Sequence, residues 1–412
     1  MKIKSNKVVY FLWSIVLISR ILISMENPIG ISPLWIYYIS SSALILWLIA
    51  IRKIKNNKKY NYRNAFWLIA FIIYVILFGK ILENDQLKEL IDFNFGAMFI
   101  FYLIVFLMAD YLDSNKKKIE FVKNSFWILA ITTIIISLLN WHMVLSINEL
   151  VNNFFKGYTR ERYAFGFYHP NAVANIALCI ILLSILLMVE NGKRKIYIII
   201  DIIMCYLILV SSSRTSVCAL ILFFVLYMYS NLKQKIFNKH WKVLINTVLI
   251  IILGLLLLIS NNNIAESLFV VSNRSYNFIY NIPILIKSGR FLIGLGFVGS
   301  GEFYQLHVYN TFFVDNYFLY VLMSTGLIGL VFIVSFIIWL CYRLLKGKNN
   351  SMKKVVAIIL GVNIFSSLGE TCFMYPSFIS CFVYTIIYLT YACESIGSNK
   401  NNTIRKIKKD IY

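Results

Sequence analysis

Charge is what this sequence has least of. Only 14% of its 412 residues are Asp, Glu, Lys or Arg, and of these just 18 are acidic. Prolines number 5 and histidines 4, and neither a Cys-x-x-Cys nor an Asp-x-Asp pair occurs. The shortage of charge excludes a soluble globular protein: at 60% hydrophobic content, a chain this long would expose too much apolar surface to stay in solution. Without paired cysteines there is no zinc ribbon or disulfide framework. Cys179, Cys205, Cys218, Cys341, Cys372, Cys381 and Cys393 sit in or near apolar runs and read as small packing residues. Without an acidic pair there is no cluster to hold a divalent cation. The apolar runs also lack a chain of ionisable groups, which counts against a proton-driven transporter.

What the chain does have is apolar sequence in blocks, at a mean hydropathy of +0.75. The blocks lack the polar stripe of an amphipathic helix and so read as lipid-facing spans. A hydrocarbon core of roughly 30 Å needs about 20 apolar residues per helix. Spans are expected near 8–25, 32–51, 65–83, 94–112, 125–145, 172–190, 196–212, 214–231, 243–260, 315–344, 355–369 and 374–393. The expected fold is therefore an all-α polytopic membrane protein with about 12 transmembrane helices, residues 1–412 forming a single transmembrane domain. Gly326 and Gly329 inside the long tenth span point to a break or a tilt. The eleventh is short enough to be partly re-entrant. The first resembles a signal peptide, but it runs straight into a second span without a cleavage site and reads as retained.

Orientation follows from the basic residues. With the N-terminus in the cytoplasm, the inside segments 1–7, 52–64, 113–124, 191–195, 232–242, 343–354 and 394–412 hold most of the 40 Lys and Arg. This positive-inside bias makes both termini cytoplasmic and accounts for the net charge of +22 without nucleic acid. Residues 394–412 form a basic cytoplasmic tail. Arg20 and Lys80 lie toward the outer ends of their spans, where snorkelling explains them. Asp201 has no assigned role.

Two extra-cytoplasmic loops are large, 146–171 and 261–314, and loops this long usually carry function. The first holds Arg160, Glu161, Arg162, Tyr163, Gly166, Tyr168, His169, Pro170 and Asn171 at the mouth of a helix starting near Pro170. Backbone N–H groups at such a mouth favour an anion, and arginine grips phosphate through a fork of donors. The competing reading is a solvated loop whose arginines meet lipid headgroups. Between spans, Ser211-Ser212-Ser213-Arg214-Thr215-Ser216 could hold a pyrophosphate, or could equally be a snorkelling Arg beside capping serines.

The second loop carries Arg274, Arg290 and the run Gly294-Leu295-Gly296-Phe297-Val298-Gly299. That G-x-G-x-x-G follows no βαβ pattern, so it reads as a flexible loop admitting a ligand to the backbone, and not as a dinucleotide fingerprint. His307 and Asn310 follow. Asp315 and Asn316 then open the tenth span, where the carboxylate could cap the helix dipole or act as a general base.

These motifs come in a recognisable order. Arg162 to Asn171 read R-x-x-x-G-x-x-H-P-N, Ser212 to Ser216 read S-S-R-x-S with Ser213 directly before Arg214, Arg290 to Gly296 read R-x-L-x-G-x-G, one residue shorter than R-x-x-L-x-G-x-G, and Asp315 to Leu330 read D-N-x-x-L…G-L-I-G-L. The order resembles that of the O-antigen ligase/polymerase superfamily, over about residues 125 to 390. The family's ligase branch carries a histidine where this chain has Asp315, so the resemblance favours a Wzy-type O-antigen or capsular polysaccharide polymerase.

The resemblance implies a GT-C-like, metal-independent glycosyltransferase without cofactors in a bacterial cytoplasmic (inner) membrane. It would transfer a growing glycan from undecaprenyl pyrophosphate to the sugar end of another lipid-linked repeat unit at the outer face. Its partners would be the undecaprenyl-pyrophosphate-linked oligosaccharide, membrane lipid, and the flippase and chain-length regulator of the same pathway. By position, Arg162, Arg214 and Arg290, with Arg274 less well matched, would bind pyrophosphate together with Asn171 and Asn316. Asp315, His169 and His307 are the expected catalytic residues, Asp315 ahead of the histidines, and Glu370 is an outsider for the same role. A ligase acting on finished glycan and a repeat-unit flippase or transporter are the alternative readings.

Overall fold

The computed structural model describes residues 2–26, 33–54, 62–82, 87–141, 149, 161–192, 194–235, 274–299, 314–346, 351–376 and 378–393. Among them the protein is helical: α1 Lys2–Ile23, α2 Pro33–Ile54, α3 Tyr62–Ile76, α4 Lys88–Tyr111, α5 Asn115–Leu139, α6 Pro170–Asn191, α7 Lys195–Val210, α8 Arg214–Lys235, α9 Arg274–Lys287, α10 Tyr317–Leu345, α11 Ser351–Ser367 and α12 Ile379–Ala392. The only strand-like pairing among the described residues is a single bridge, Met25 to Phe167. Among these residues, seven helices are long and apolar enough to cross a membrane, namely α1 to α6 and α10, and the chain is an all-helical membrane protein. The expected span 243–260 and the tail 394–412 lie outside the described residues.

The helices begin and end where local chemistry directs. Ser114 caps α5 by accepting from the Lys117 N–H, His169 caps α6 with Pro170 as its first residue, and Asn316 caps α10 by accepting from the Leu319 N–H at 3.0 Å. α3 runs into a π turn, Leu77–Ile81, that ends the third span. α9 is an addition to the sequence reading, which treats 261–314 as loop throughout.

Two helices form the centre. Every residue of α12 is buried, and so is the unbroken run Ala172 to Leu187 of α6. A helix apolar on all sides belongs inside a bundle. α12 packs on α4, α10, α11 and α6, while α6 packs on α5, α7 and α11. An aromatic seam locks α3 and α4 to α10: Phe71 stacks on Tyr102 at 4.5 Å, Tyr74 on Phe332 at 4.9 Å, and Trp67 meets Phe336 edge-on at 4.7 Å.

The bundle has two chemically different ends. At one, Arg52 pairs with Asp110 at 3.5 Å, Lys117 with Asp113 at 2.9 Å, and Arg343 Nε donates to the Ala392 carbonyl at 2.9 Å. These contacts gather the C-termini of α2, α4, α10 and α12 and the N-terminus of α5 into a basic end. A cavity of about 440 Å³ at this end is lined by Lys116, Lys123 and Arg194, with Glu120 among them. The opposite end, where α1, α5, α7 and α11 finish and α6, α8, α10 and α12 begin, carries the motifs.

Candidate active site at the motif end

The segment 161–169 is sewn onto the end of the bundle. The Tyr168 N–H donates to the Ser24 carbonyl at 2.9 Å, and the Glu26 N–H to the Gly166 carbonyl at 3.1 Å, tying the segment to the end of α1. Gly166 has φ +83 and lies against Asn140 at the end of α5, so close that a Cβ would stand 2.3 Å from the Asn140 amide nitrogen. Phe165 and Phe167 are buried, and Phe165 rests on Trp141 at 5.4 Å. Hydrophobic anchors thus fix the loop, leaving its polar residues to face one another.

Arg162 is the hub. Its Nε donates to the Ser211 carbonyl at 3.3 Å and its Nη2 to Asn171 Oδ1. The Asn171 amide nitrogen in turn donates to Glu370 Oε1 at 2.6 Å. The Ser211–Ser213 turn beneath Arg162 is buried: Ser212 takes φ +51, and its hydroxyl donates to the Glu161 carbonyl at 3.4 Å. Arg214 follows directly as the first residue of α8, so Arg162 and Arg214 share this turn. On the other flank, the Asn316 amide donates to the Leu368 carbonyl at 2.8 Å, bringing Asp315 and Asn316 alongside the 368–370 turn that carries Glu370. One network therefore joins motifs from four places in the chain. Glu370, an outsider in the sequence reading, is joined to it through Asn171; its signal was a carboxylate at a span end in an acid-poor chain.

His169 has a defined polarity. Its Nδ1 accepts the Asn171 N–H at 3.1 Å, which places the ring proton on Nε2. The surrounding protein, and after it the positive charge of Arg162, hold the imidazole below the usual histidine value of 6.5. A neutral ring with its proton on Nε2 is a hydrogen-bond donor through that nitrogen. Asp315 stands one residue before the helix cap; the cap itself is Asn316.

Arg290 joins a different contact. Its Nη1 donates to the Leu82 carbonyl, at the end of the third span, at 2.9 Å. The loop after it enters a break in α10, where Gly326 takes φ 65 and ψ −169. The Leu295 and Gly296 N–H groups donate to the Met323 and Ser324 carbonyls at 2.7 and 2.8 Å, and the Leu327 N–H donates to the Phe291 carbonyl at 2.9 Å. The break expected in the tenth span is present, and its opened backbone is satisfied by the glycine loop. The close approach that Gly294 and Gly296 permit is thus to the Ser324 backbone and the Ile91 side chain; protein fills the space that the sequence reading left for a ligand.

Arg274 is the first residue of α9, and His307 and Asn310 lie outside the described residues. Among the described residues, no three His, Cys, Asp or Glu side chains gather so as to hold a metal ion. No family model and no curated protein matches the chain.

Proposed function

We propose that the chain is a Wzy-type polymerase of a surface polysaccharide, a glycosyltransferase working on undecaprenyl-pyrophosphate-linked repeat units at the outer face of a bacterial cytoplasmic membrane. The observation that carries this reading is the Arg162–Asn171–Glu370 network over the buried serine turn that leads into Arg214. The motif order gives the network its chemical meaning. The basic end lies opposite, as the positive-inside rule requires if the motif end faces outward. The eleven described helices other than α9 alternate between the two ends, and with a ninth span at 243–260 they would complete twelve, returning both termini to the cytoplasm in a GT-C-like layout.

Breaking a glycosyl–pyrophosphate bond builds negative charge on the leaving group. Guanidiniums already fixed in place stabilise that charge without reorganising. Arg162 and Arg214 fill that role, and Arg290 and Arg274 extend the positive field from the second loop. His169, with its proton on Nε2, donates to a leaving oxygen. The base for the acceptor hydroxyl is then a carboxylate: Asp315, with Glu370 beside it. His307 remains a candidate in the same loop.

The test is analysis of carrier-linked glycans from cells carrying Arg162→Ala. Single repeat units and no polymer are expected; polymer of normal length removes the mechanism. Transfer of finished glycan to another acceptor would identify a ligase, and repeat units accumulating on the inner leaflet would identify a flippase.

A further inference from the structure

Arg20 is an arginine in the wrong place for snorkelling. It lies in α1 one turn before Ser24, is 8% exposed, and is packed over the Tyr37 ring at 5.0 Å and the Phe382 ring at 5.9 Å. An arginine carries five N–H donors. Here Nη2 donates to the Pro376 carbonyl, and the buried Nε has no partner. None of the carboxylates among the described residues forms an ion pair with it. A cation removed from water without a counter-charge is costly, and proteins keep such groups where a ligand supplies the missing charge.

Its position says which ligand. The Ser24 hydroxyl donates to the Arg20 carbonyl at 3.0 Å, and the Ser24 carbonyl holds the Tyr168 N–H, so Arg20 lies directly beneath the loop bearing Arg162 and His169. The packing around Tyr168 raises its phenol pKa, with the Arg20 charge working against that rise and Glu370 adding to it. Arg20, Tyr168 and Glu370 therefore sit within one electrostatic neighbourhood. Pro376 follows the 368–370 turn on the same connection, which places the guanidinium behind the network and not outside it.

We propose that Arg20 is an anion-binding residue of this site, taking a phosphate oxygen of the lipid-linked substrate from beneath the 161–169 loop. This rests on the polymerase reading for the identity of the phosphate. The chemistry alone, a phosphate oxyanion, is shared with phospholipid headgroups.

The test uses the full chain in nanodiscs of zwitterionic lipid, with thermal unfolding followed as undecaprenyl pyrophosphate is added. Wild type should be stabilised. Arg20→Gln, relieved of an uncompensated buried charge, should unfold at the wild-type temperature or above without ligand, yet bind the lipid pyrophosphate about tenfold or more weakly. A lowered unfolding temperature with unchanged affinity would make Arg20 a structural residue and overturn the proposal. Should Arg20→Gln fail to fold, Arg20→Met, which removes the charge and keeps the apolar bulk, carries the test: weakened binding supports the proposal, and wild-type affinity overturns it. Nanodiscs containing phosphatidylglycerol separate the sources. Stabilisation by that lipid through Arg20, with none by undecaprenyl pyrophosphate, overturns the assignment to substrate. Arg162→Ala separates the two readings: if it loses binding while Arg20→Gln does not, only the role of Arg20 falls, and if wild type does not bind the probe, both fall.

Discussion

Asn171 hands a hydrogen bond to Glu370 across 199 residues of chain, at 2.6 Å, while its own carbonyl oxygen is held by Arg162. The amide is the only side chain of its size that can face a guanidinium with an acceptor and a carboxylate with a donor at once. Asn171→Asp keeps the first bond and turns the second into a repulsion between carboxylates. Glu370→Gln relieves it, because a neutral amide can donate to the new Asp. Asn171→Asp alone should abolish most polymer, and the double variant should recover part of it. A coupling of about 1–3 kcal/mol between the two positions is expected from a double-mutant cycle on stability or rate. Strict additivity would show that the bond is incidental.

The cap of α6 should titrate. In the folded chain His169 accepts a backbone N–H through Nδ1 and is held neutral, with its pKa below 6.5. A depressed pKa means that the unfolded state takes up the proton first, so stability is fully present above about pH 6.5 and falls as pH drops below it. Protonation also turns the accepting nitrogen into a donor and ends the cap. His169→Asn keeps a good capping residue and removes the titration. Melting temperatures followed from about pH 7.5 down to about pH 5 should fall more steeply for wild type than for His169→Asn; superimposable profiles would refute the assignment.

The parts of the molecule legible in the sequence are those set by short-range pattern. Apolar runs of the right length became helices, Pro170 began α6, and Gly326 marked the break in α10. The parts not legible depend on which elements become neighbours. Arg20 resembles any arginine near a span end until Tyr37 from one part of the chain and Pro376 and Phe382 from another close around it. The glycine loop gives no sign that its partner is the backbone of another helix, because backbone-to-backbone pairing is blind to side chains. Glu370 lacked a motif of its own, and its role came only from the reach of Asn171. The π turn at Leu77–Ile81 has no compositional signal at all.

Arg290 and Arg162 should part company when stability and product are measured together. Arg290 is bonded to the Leu82 carbonyl and anchors the loop that fills the α10 break, so its loss loosens the fold as well as the site. Arg290→Ala is expected to cost about 1–3 kcal/mol of stability, for a charged hydrogen bond to a half-buried carbonyl, and to shorten the polymer. Arg162 donates to the Ser211 carbonyl and to Asn171 Oδ1 from a loop held separately by Phe165, Phe167 and the Met25 bridge, so Arg162→Ala should cost a similar amount of stability yet abolish the polymer outright. Polymer merely shortened by Arg162→Ala, or abolished by Arg290→Ala, would contradict this division.

The break in α10 itself admits the sharpest steric test. A Cβ on Gly326 would stand 2.3 Å from the Leu292 carbonyl carbon, and one on Gly294 would stand 2.4 Å from the Ser324 carbonyl carbon, both at positive φ. Neither contact can relax by swinging a side chain, because the obstacle on each side is main chain. Alanine at either position must push the loop out of the break and leave the Met323 and Ser324 carbonyls without the N–H groups they now receive, deep in an apolar bundle. The cost should be about 2–4 kcal/mol, combining backbone strain with overpacking. Gly361→Ala in α11 is the control: nothing lies within 4 Å of its added Cβ, and alanine there favours the helix by up to about 1 kcal/mol. Thermal unfolding of the three variants in the same lipid should place Gly361→Ala at or above wild type and the other two well below it. A Gly326→Ala chain as stable as wild type would mean that the loop does not occupy the break.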